Sequence, residues 1–221
     1  MSEPVPDRLV VVLGTGTEIG KTWVACRVLE SLRSDGVRVA ARKPVQSYEP
    51  GDATTDAAEL AAATGEAVTS VCPQHRWYEV AMAPPMAADA LGRPPFDLTD
   101  LVDELTWPDG VEVGLVEAAG GLRSPMAADD ADGVALAAVL MPDVVVLVAD
   151  AGLGTINSIR LAVTALEDVV QTRDGLDLVV VLNRFDRADE LHRRNLAWLE
   201  EHDRLTPITS IEELAAVLRN G

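Results

Sequence analysis

Lysine is scarce in this acidic chain. Only Lys21 and Lys43 occur among 221 residues, against sixteen arginines, and the formal net charge is −18. A surface of this charge repels phosphate backbones and anionic headgroups, so the sequence argues against nucleic-acid and membrane partners. Any anion that binds must enter a locally positive pocket. The two ammonium groups are therefore the first candidates for a binding site.

Cysteines and long apolar runs are also few. Cys26 and Cys72 form neither a disulfide framework nor a pair with metal-ligand spacing, and the three histidines show no such spacing either. No apolar run approaches the roughly 20 residues needed to span a bilayer. The first residues, 1–4, lack a basic and apolar leader. Together these absences predict a cytoplasmic protein.

Short β-branched runs alternate with stretches of helical period. The predicted strands are 9–13, 37–41, 111–116, 143–149 and 177–182. The predicted helices are 20–34, 54–64, 97–105, 131–141, 155–171, 188–202 and 210–219. This alternation predicts an α/β fold, a doubly wound and mostly parallel sheet flanked by helices, in a single domain over residues 1–221. The Pro-rich segments 82–86 and 93–96 are expected to be the loosest part of the chain.

A glycine-rich loop, Gly14–Thr22, follows the first predicted strand. In such a loop backbone N–H groups cradle phosphates, Lys21 reaches the β- and γ-phosphates, and Thr22 offers a hydroxyl to Mg²⁺. The loop departs from the strict G-x-x-x-x-G-K-[ST] spacing, because Thr15 stands where the first glycine belongs and Gly14 lies one residue earlier. With a strand before it and a helix after it, the loop predicts binding of a nucleoside triphosphate.

Three carboxylates are candidates for the metal ion that accompanies a triphosphate. Mg²⁺ in such sites takes one or two protein carboxylates. Asp56 lies in the first turn of a predicted helix, whereas Glu117 and Asp150 each end an apolar strand. The pattern alone does not choose between these two strand ends. The acidic run 129–132 is interpreted instead as a solvated helix cap.

Lys43 supplies a second ammonium group at the end of another strand. In a doubly wound sheet, ligands bind beyond the carboxyl ends of the strands, where Lys21 also lies. Charge that develops on a transferring phosphoryl group needs donors on both its nucleotide side and its acceptor side. Two lysines at one phosphate therefore indicate phosphoryl transfer, with Lys43 on the acceptor side.

Five motifs recur along the chain, at residues 14–22, 43–47, 55–56, 117–121 and 152–157. By these motifs, which occur in the family's order, the chain resembles the dethiobiotin synthetase family over residues of about 8 to 185. The family's shifted glycine-rich loop also accounts for Thr15. The resemblance implies a P-loop NTPase fold and an ATP-dependent carboxylase that closes the ureido ring in biotin synthesis.

The implied reaction joins 7,8-diaminononanoate and CO₂. One amine takes up CO₂ to form a carbamate, the γ-phosphoryl group of ATP activates it as a mixed anhydride, and the second amine closes the ring. ADP and phosphate leave. ATP is the expected co-substrate among nucleoside triphosphates, with Mg²⁺ as cofactor.

The resemblance also implies site residues. Lys21, Lys43 and Ser47 are the expected catalytic residues, and Thr22, Asp56 and Glu117 the expected magnesium ligands. The nucleotide-binding set is Gly16, Thr17, Glu18, Ile19, Gly20, Lys21, Thr22 and Asn183, the last beside the base. The substrate-binding set is Lys43, Ser47, Gly154, Thr155, Ile156 and Asn157. In the family the helix that opens at 154–157 comes from the neighbouring subunit, which implies a homodimer.

Two other functions compete with this interpretation. A regulatory NTPase of the partition or division-site type would carry a second signature lysine early in the loop. That lysine would fall at Gly16, where the chain has none. An ATP-dependent amide-forming synthetase of the same superfamily would usually carry a glutaminase domain with a nucleophilic cysteine. Neither Cys26 nor Cys72 lies in such a motif.

Overall fold

The central sheet is parallel throughout. A computed structural model describes residues 4–172 and 176–219 of the chain. Its strands are β1 (Arg8–Gly14), β2 (Val39–Arg42), β3 (Gln46–Ser47), β4 (Trp77–Tyr78), β5 (Val113–Glu117), β6 (Val144–Asp150) and β7 (Asp177–Asn183). Five of them form one sheet in the order β2-β5-β1-β6-β7, and β3 pairs with β4 in a small separate ladder.

Helices cover both faces of this sheet. They are α1 (Lys21–Ser34), α2 (Asp56–Thr64), α3 (Val68–Val71), α4 (Pro84–Ala90), α5 (Leu98–Asp103), α6 (Gly133–Leu140), α7 (Thr155–Thr172), α8 (Glu190–His202) and α9 (Ile211–Arg219), with a 3₁₀ turn at Gln74–Arg76. One apolar core contains side chains of α1, α2 and α9, and the other contains side chains of α6, α7 and α8. A sheet covered on both faces needs strands that are apolar along their whole length, as these are.

Strand order brings the ends of β1, β5 and β2 together. β1 pairs with β5 from Arg8 opposite Val113 to Val12 opposite Glu117. β5 pairs in turn with β2, with Arg42 opposite Val116. Because these strands are parallel, the loops that follow them meet at one edge of the sheet. That edge carries the glycine-rich loop and both lysines.

The predicted strands and helices are confirmed, with boundaries that shift by one or two residues in most cases. α2 begins at Asp56 rather than at residue 54, because Thr55 is its N-cap and accepts a hydrogen bond from Ala58 N through its hydroxyl. The prediction for residues 82–86 was wrong. Pro84 opens helix α4 there, since proline at the first helical position forfeits no hydrogen bond.

Asp132, the last residue of the acidic run, is the N-cap of α6 as predicted, but it is buried rather than solvated. Asp132 accepts hydrogen bonds from the backbone N–H groups of Val134 and Ala135 and pairs with Arg123.

Across the described ranges, no group of three or more His, Cys, Asp or Glu side chains is arranged to hold a metal ion. Within 4–172 and 176–219, every helix is too short or too polar to cross a bilayer.

Candidate active site

The glycine-rich loop joins the end of β1 to the start of α1. Thr15 N donates to the carbonyl of Val148 in the neighbouring strand, which ties the start of the loop to β6. Gly20 adopts a φ of +89° immediately before the helix. A Cβ atom at Gly20 would also collide with Asn183 Nδ2, so this position requires glycine on two grounds.

The residues after β7 hold the far side of this loop. Asn183 Nδ2 donates to the carbonyl of Ile19 at 2.8 Å, and Arg184 Nη2 donates to the carbonyl of Glu18 at 2.8 Å. Asn183 is buried, and its own Oδ1 accepts from Arg184 N. In this structure Asn183 therefore positions the loop, and a contact with a nucleotide base stays a prediction.

A compact charged centre lies at the start of α1. Thr22 Oγ1 is 2.9 Å from Asp56 Oδ1 and 2.8 Å from Glu117 Oε1. Lys43 Nζ is 2.7 Å from Asp56 Oδ2 and 2.7 Å from Glu117 Oε1. Lys21 Nζ lies at the loop, where it donates to the carbonyl of Gly16 at 3.3 Å. Five predicted site residues are thus brought together from four separate segments.

Burial sets the electrostatics of this centre. Glu117 is fully buried and Lys43 is 2 % exposed. Burial alone would lower the pKa of Lys43, but the carboxylates of Glu117 and Asp56 outweigh it and raise that pKa. The Lys43 ammonium in turn holds the pKa of Asp56 below its ordinary value. Burial, and then the nearby charge of Lys43, lower the pKa of Lys21.

The geometry distinguishes the two strand-end acids that the sequence left open. Asp150 turns away from the centre, because its Oδ1 accepts from Gly152 N at 2.8 Å and its Oδ2 pairs with Arg184 at 3.0 Å. Glu117, by contrast, contacts both Thr22 and Lys43. The Asp150 side chain stabilises its own turn and does not join the centre.

The oxygen atoms of this centre suit a magnesium ion. A hydroxyl and two carboxylates are the hard oxygen donors that Mg²⁺ prefers. Glu117 Oε2 is buried and has no hydrogen-bond partner among the described residues. A buried carboxylate oxygen without a partner is costly, and a bound cation would relieve that cost. Thr22, Asp56 and Glu117 therefore fit the predicted ion.

A cavity of about 700 Å³ opens beside the charged centre. Its wall includes further residues that were not predicted as site residues: Gln46, Tyr48, Glu49, Asp52, Thr54, Thr55, Ala81, Met82, Ala83, Pro84, Ala119, Gly120 and Ser124. Of the predicted residues, the cavity is lined by Thr17, Glu18, Gly20, Lys21, Thr22, Lys43, Ser47 and Asp56. The glycine-rich loop and Lys43 thus share one cavity.

The sequence matches known proteins over most of its length. A family model described as an AAA domain matches residues 8–220. The ATP-dependent dethiobiotin synthetase of Caulobacter vibrioides strain NA1000 is 42% identical over 188 residues, which cover 80% of this chain and 81% of that protein. The corresponding synthetase of Anaeromyxobacter dehalogenans strain 2CP-C is 36% identical over 187 residues, covering 83% and 79%. The chain belongs to the dethiobiotin synthetase family.

Solved structures agree on the fold. A plasmid partition protein from Borrelia burgdorferi superposes with a TM-score of 0.55 at 14% identity, covering 98% of this chain and 97% of that one. A DUF1611 family protein from Anabaena variabilis superposes with a TM-score of 0.56 at 17% identity, covering 97% of this chain and 56% of that one. At these identities the likeness concerns the α/β architecture alone.

Ala118 follows Glu117 in the turn after β5, at a position whose backbone conformation does not require glycine. Ala118 does not have a positive φ, and its N–H donates to the carbonyl of Val12 at 3.0 Å. The glycine that the turn needs is Gly120, with a φ of +71°. Gly121 packs against the glycine-rich loop, since a Cβ atom on Gly121 would lie 3.2 Å from Gly16 Cα.

The residues at the start of α7 lie apart from this cavity. Gly154, Thr155, Ile156 and Asn157 are predicted to bind the substrate, yet none of them lines the cavity. Gly154 precedes the helix with a φ of +93°, and the neighbouring Leu153 is 92 % exposed. Thr155 Oγ1 is buried without a hydrogen-bond partner among the described residues. The structure therefore divides the predicted substrate residues into two groups.

Proposed function

We propose that this chain closes the ureido ring of dethiobiotin from 7,8-diaminononanoate and CO₂, at the expense of ATP. The observation that carries the proposal is the placement of both lysines beside one buried carboxylate centre in a single cavity. Membership of the dethiobiotin synthetase family supports the choice of substrate. We further propose that residues 1–221 form one domain.

The nucleotide phosphates would lie along residues 16–22. Backbone N–H groups of the loop and the first turn of α1 provide donors, and the helix dipole favours an anion there. Burial lowers the pKa of Lys21. An anionic phosphate beside Lys21 would stabilise its charged form and relieve this penalty. ATP binding is therefore favoured at the place where the chain holds a partly desolvated ammonium group.

Magnesium would be held by Thr22, Asp56 and Glu117. The ion, when bound, neutralises charge that develops on the transferring phosphoryl group. Thr22 is the first residue after Lys21 in α1, so the hydroxyl and the phosphate-binding lysine share one rigid helical turn. Glu117 reaches the same point from β5, and Asp56 from the first turn of α2. The three residues stand on regular elements, which fixes their separation.

The chemistry on the acceptor side needs an orienting cation more than a base. The carbamate oxygen attacks the γ-phosphorus and ADP leaves; the second amine then attacks the carbamate carbon, and phosphate leaves with that oxygen. Lys43 has a raised pKa, so it remains an ammonium group and cannot remove protons from the amines. We assign Lys43 to holding the negative carbamate oxygens and the moving phosphoryl group.

Ser47 would contact the nitrogen side of the carbamate. Its Oγ donates to the carbonyl of Met82 at 2.6 Å, so the hydroxyl proton is already engaged. The oxygen still has lone pairs with which it can accept a hydrogen bond. We therefore expect Ser47 to accept from a substrate N–H group.

The carboxylate tail of the substrate would bind at the start of α7 in a neighbouring subunit. A helix N-terminus favours an anion, and residues 154–157 form such an N-terminus outside the lining of their own chain's cavity. A homodimer with sites at the interface would bring the two groups of substrate residues together. The exposed Leu153 beside this helix start supports such an interface.

A diamine-dependent assay tests the proposed function. The protein is incubated with ATP, Mg²⁺, bicarbonate and 7,8-diaminononanoate, and phosphate release is measured with and without the diamine. We expect release to depend on the diamine and dethiobiotin to accumulate in equal amount. A nucleotide-driven switch would hydrolyse ATP at the same rate without the diamine, and that result would contradict the proposal.

The same assay distinguishes the amide-forming alternative. Burial raises the pKa of both Cys26 and Cys72 to about 12, so neither thiol is a ready nucleophile at neutral pH. We therefore expect no stimulation by glutamine as a nitrogen donor. Phosphate release that required glutamine rather than bicarbonate would favour the amide synthetase.

A further inference from the structure

Gln46 is a buried amide in the cavity wall that the proposed function does not yet use. It lies in β3, three residues after Lys43, and is 2 % exposed. Gln46 lines the cavity together with Lys43 and Ser47, the residues proposed for the acceptor side. The amide of a glutamine side chain has two N–H donors and one acceptor oxygen, and when it is buried each of these normally has a hydrogen-bond partner.

A neighbouring backbone group fixes the orientation of this amide. Ala57 N–H lies 3.0 Å from Gln46 Oε1. A backbone N–H can only donate, so the oxygen must face Ala57, and a flipped amide would set two donors against each other. The Nε2 group therefore faces another direction. It is buried and has no hydrogen-bond partner among the described residues.

A buried N–H donor without a partner would discriminate among the chemical forms of the substrate amine. An N–H donor opposes an ammonium group, which has no lone pair, whereas a carbamate presents two negatively charged acceptor oxygens. Lys43, which lines the same cavity, favours the same form. Building on the proposed function, we propose that Gln46 Nε2 donates a hydrogen bond to a carbamate oxygen. Gln46 then determines specificity for the carboxylated amine over the free diamine.

The carbonyl oxygen of Gln46 has a positioning role, which the test must distinguish from the proposed role of the Nε2 donor. Ala57 follows Asp56 in the first turn of α2, so the bond to Gln46 Oε1 helps to hold the helix start that carries this carboxylate. Gln46→Glu keeps an acceptor for Ala57 N–H but replaces the donor with a negative oxygen. Gln46→Met removes both functions at nearly constant volume. Gln74→Glu makes the same charge change at an exposed residue that does not line the cavity.

The experiment compares two binding steps in these variants. For Gln46→Glu we expect the apparent KM for bicarbonate to rise about ten- to one-hundredfold, the loss typical of a hydrogen bond to a charged group. Binding of the free diamine in CO₂-free buffer should be at least as tight as in the unsubstituted chain, because a carboxylate attracts ammonium. Gln74→Glu should change neither value. A purely structural role would weaken both steps, and nucleotide binding with them.

The outcomes separate this inference from the proposed function. If the unsubstituted chain shows diamine-dependent turnover and Gln46→Glu retains the bicarbonate KM, the role assigned to Gln46 is wrong and the function stands. A rise in the bicarbonate KM that Gln46→Met shares, with unchanged melting temperature, supports the donor role. If the unsubstituted chain releases no phosphate in response to the diamine, both the proposed function and this inference are wrong.

Discussion

Lys43 is the residue in which burial and charge conflict most directly. Its ammonium group is almost fully buried, which is unfavourable, but it lies 2.7 Å from each of two carboxylates. Removing one partner from such a buried group destabilises the fold far more than removing one partner of an exposed ion pair does. The reason is that the remaining buried charges are left without compensation. Lys43 therefore contributes to the assembly of the centre as well as to its proposed chemistry.

A substitution of Lys43 separates catalysis from nucleotide binding. We predict that Lys43→Met lowers kcat about 10²- to 10³-fold, comparable to the loss of one preorganised donor in a transition state. The nucleotide Kd should change less than about threefold, because residues 16–22 remain intact. Phosphate release and calorimetric titration of ATP measure the two effects.

The matched control for this prediction is Arg38→Met. Arg38 pairs with Glu112 at 3.0 Å on the exposed surface, where an ion pair contributes little. Both kcat and the nucleotide Kd should stay near their unsubstituted values. If Lys43→Met instead weakens ATP binding as much as it slows turnover, Lys43 belongs to the nucleotide side and the assignment is wrong.

At the scale of elements, helix α7 is the part whose proposed role depends on a second chain. The proposal places its first turn, from Thr155, in the active site of the partner subunit. Asn157 is exposed in this turn, so a carboxylate there would repel the substrate's tail without disturbing the core. The helix dipole tolerates an acidic residue near its N-terminus, so Asn157→Asp should fold normally.

Mixing two defective variants tests this arrangement. Lys43→Met and Asn157→Asp should each be poorly active at low diamine concentration. After subunit exchange, a mixed dimer would contain one site with both native residues, so random mixing should restore about a quarter of the native activity. Activity no higher than the average of the two variants would show that α7 acts within its own chain. Unmixed samples taken through the same exchange procedure are the control.

Most elements could be predicted from the sequence because their signals are local. The buried parallel strands are continuous apolar runs, and the longer helices show clear periodicity and end signals such as Gly36. The short elements could not: α3 has four residues, and β3 and β4 have two each. Helix α4 was missed since its prolines resemble a loop signal and are compatible with a helix only at its first turn.

The site was predictable where it follows a motif and not where it depends on distant contacts. Pattern alone left Glu117 and Asp150 equivalent, since each of them ends an apolar strand. The resemblance favoured Glu117, and the fold separates the two because Asp150 is engaged by Gly152 and Arg184. Gln46 could not be assigned from sequence, because its orientation depends on Ala57, eleven residues away in another element.

At the scale of the whole molecule, the two ammonium groups of a strongly negative chain lie at one place. The net charge of −18 disfavours most anions at the surface, whereas one edge of the sheet joins a helix N-terminus to both lysines of the chain. A triphosphate with its metal ion can bind at this edge while polyanions are repelled elsewhere. This distribution suits a small-molecule enzyme better than a protein that binds nucleic acid.

The central claim is that a carbamate, held on the Lys43 side of the cavity, attacks the γ-phosphate of ATP. The most direct test follows oxygen from CO₂. In the proposed reaction the carbamate oxygen becomes the bridging atom to phosphorus and leaves with phosphate. With freshly added C¹⁸O₂ in unlabelled water and short reaction times, the account predicts that each released phosphate carries one ¹⁸O atom. Unlabelled phosphate released alongside dethiobiotin would contradict it.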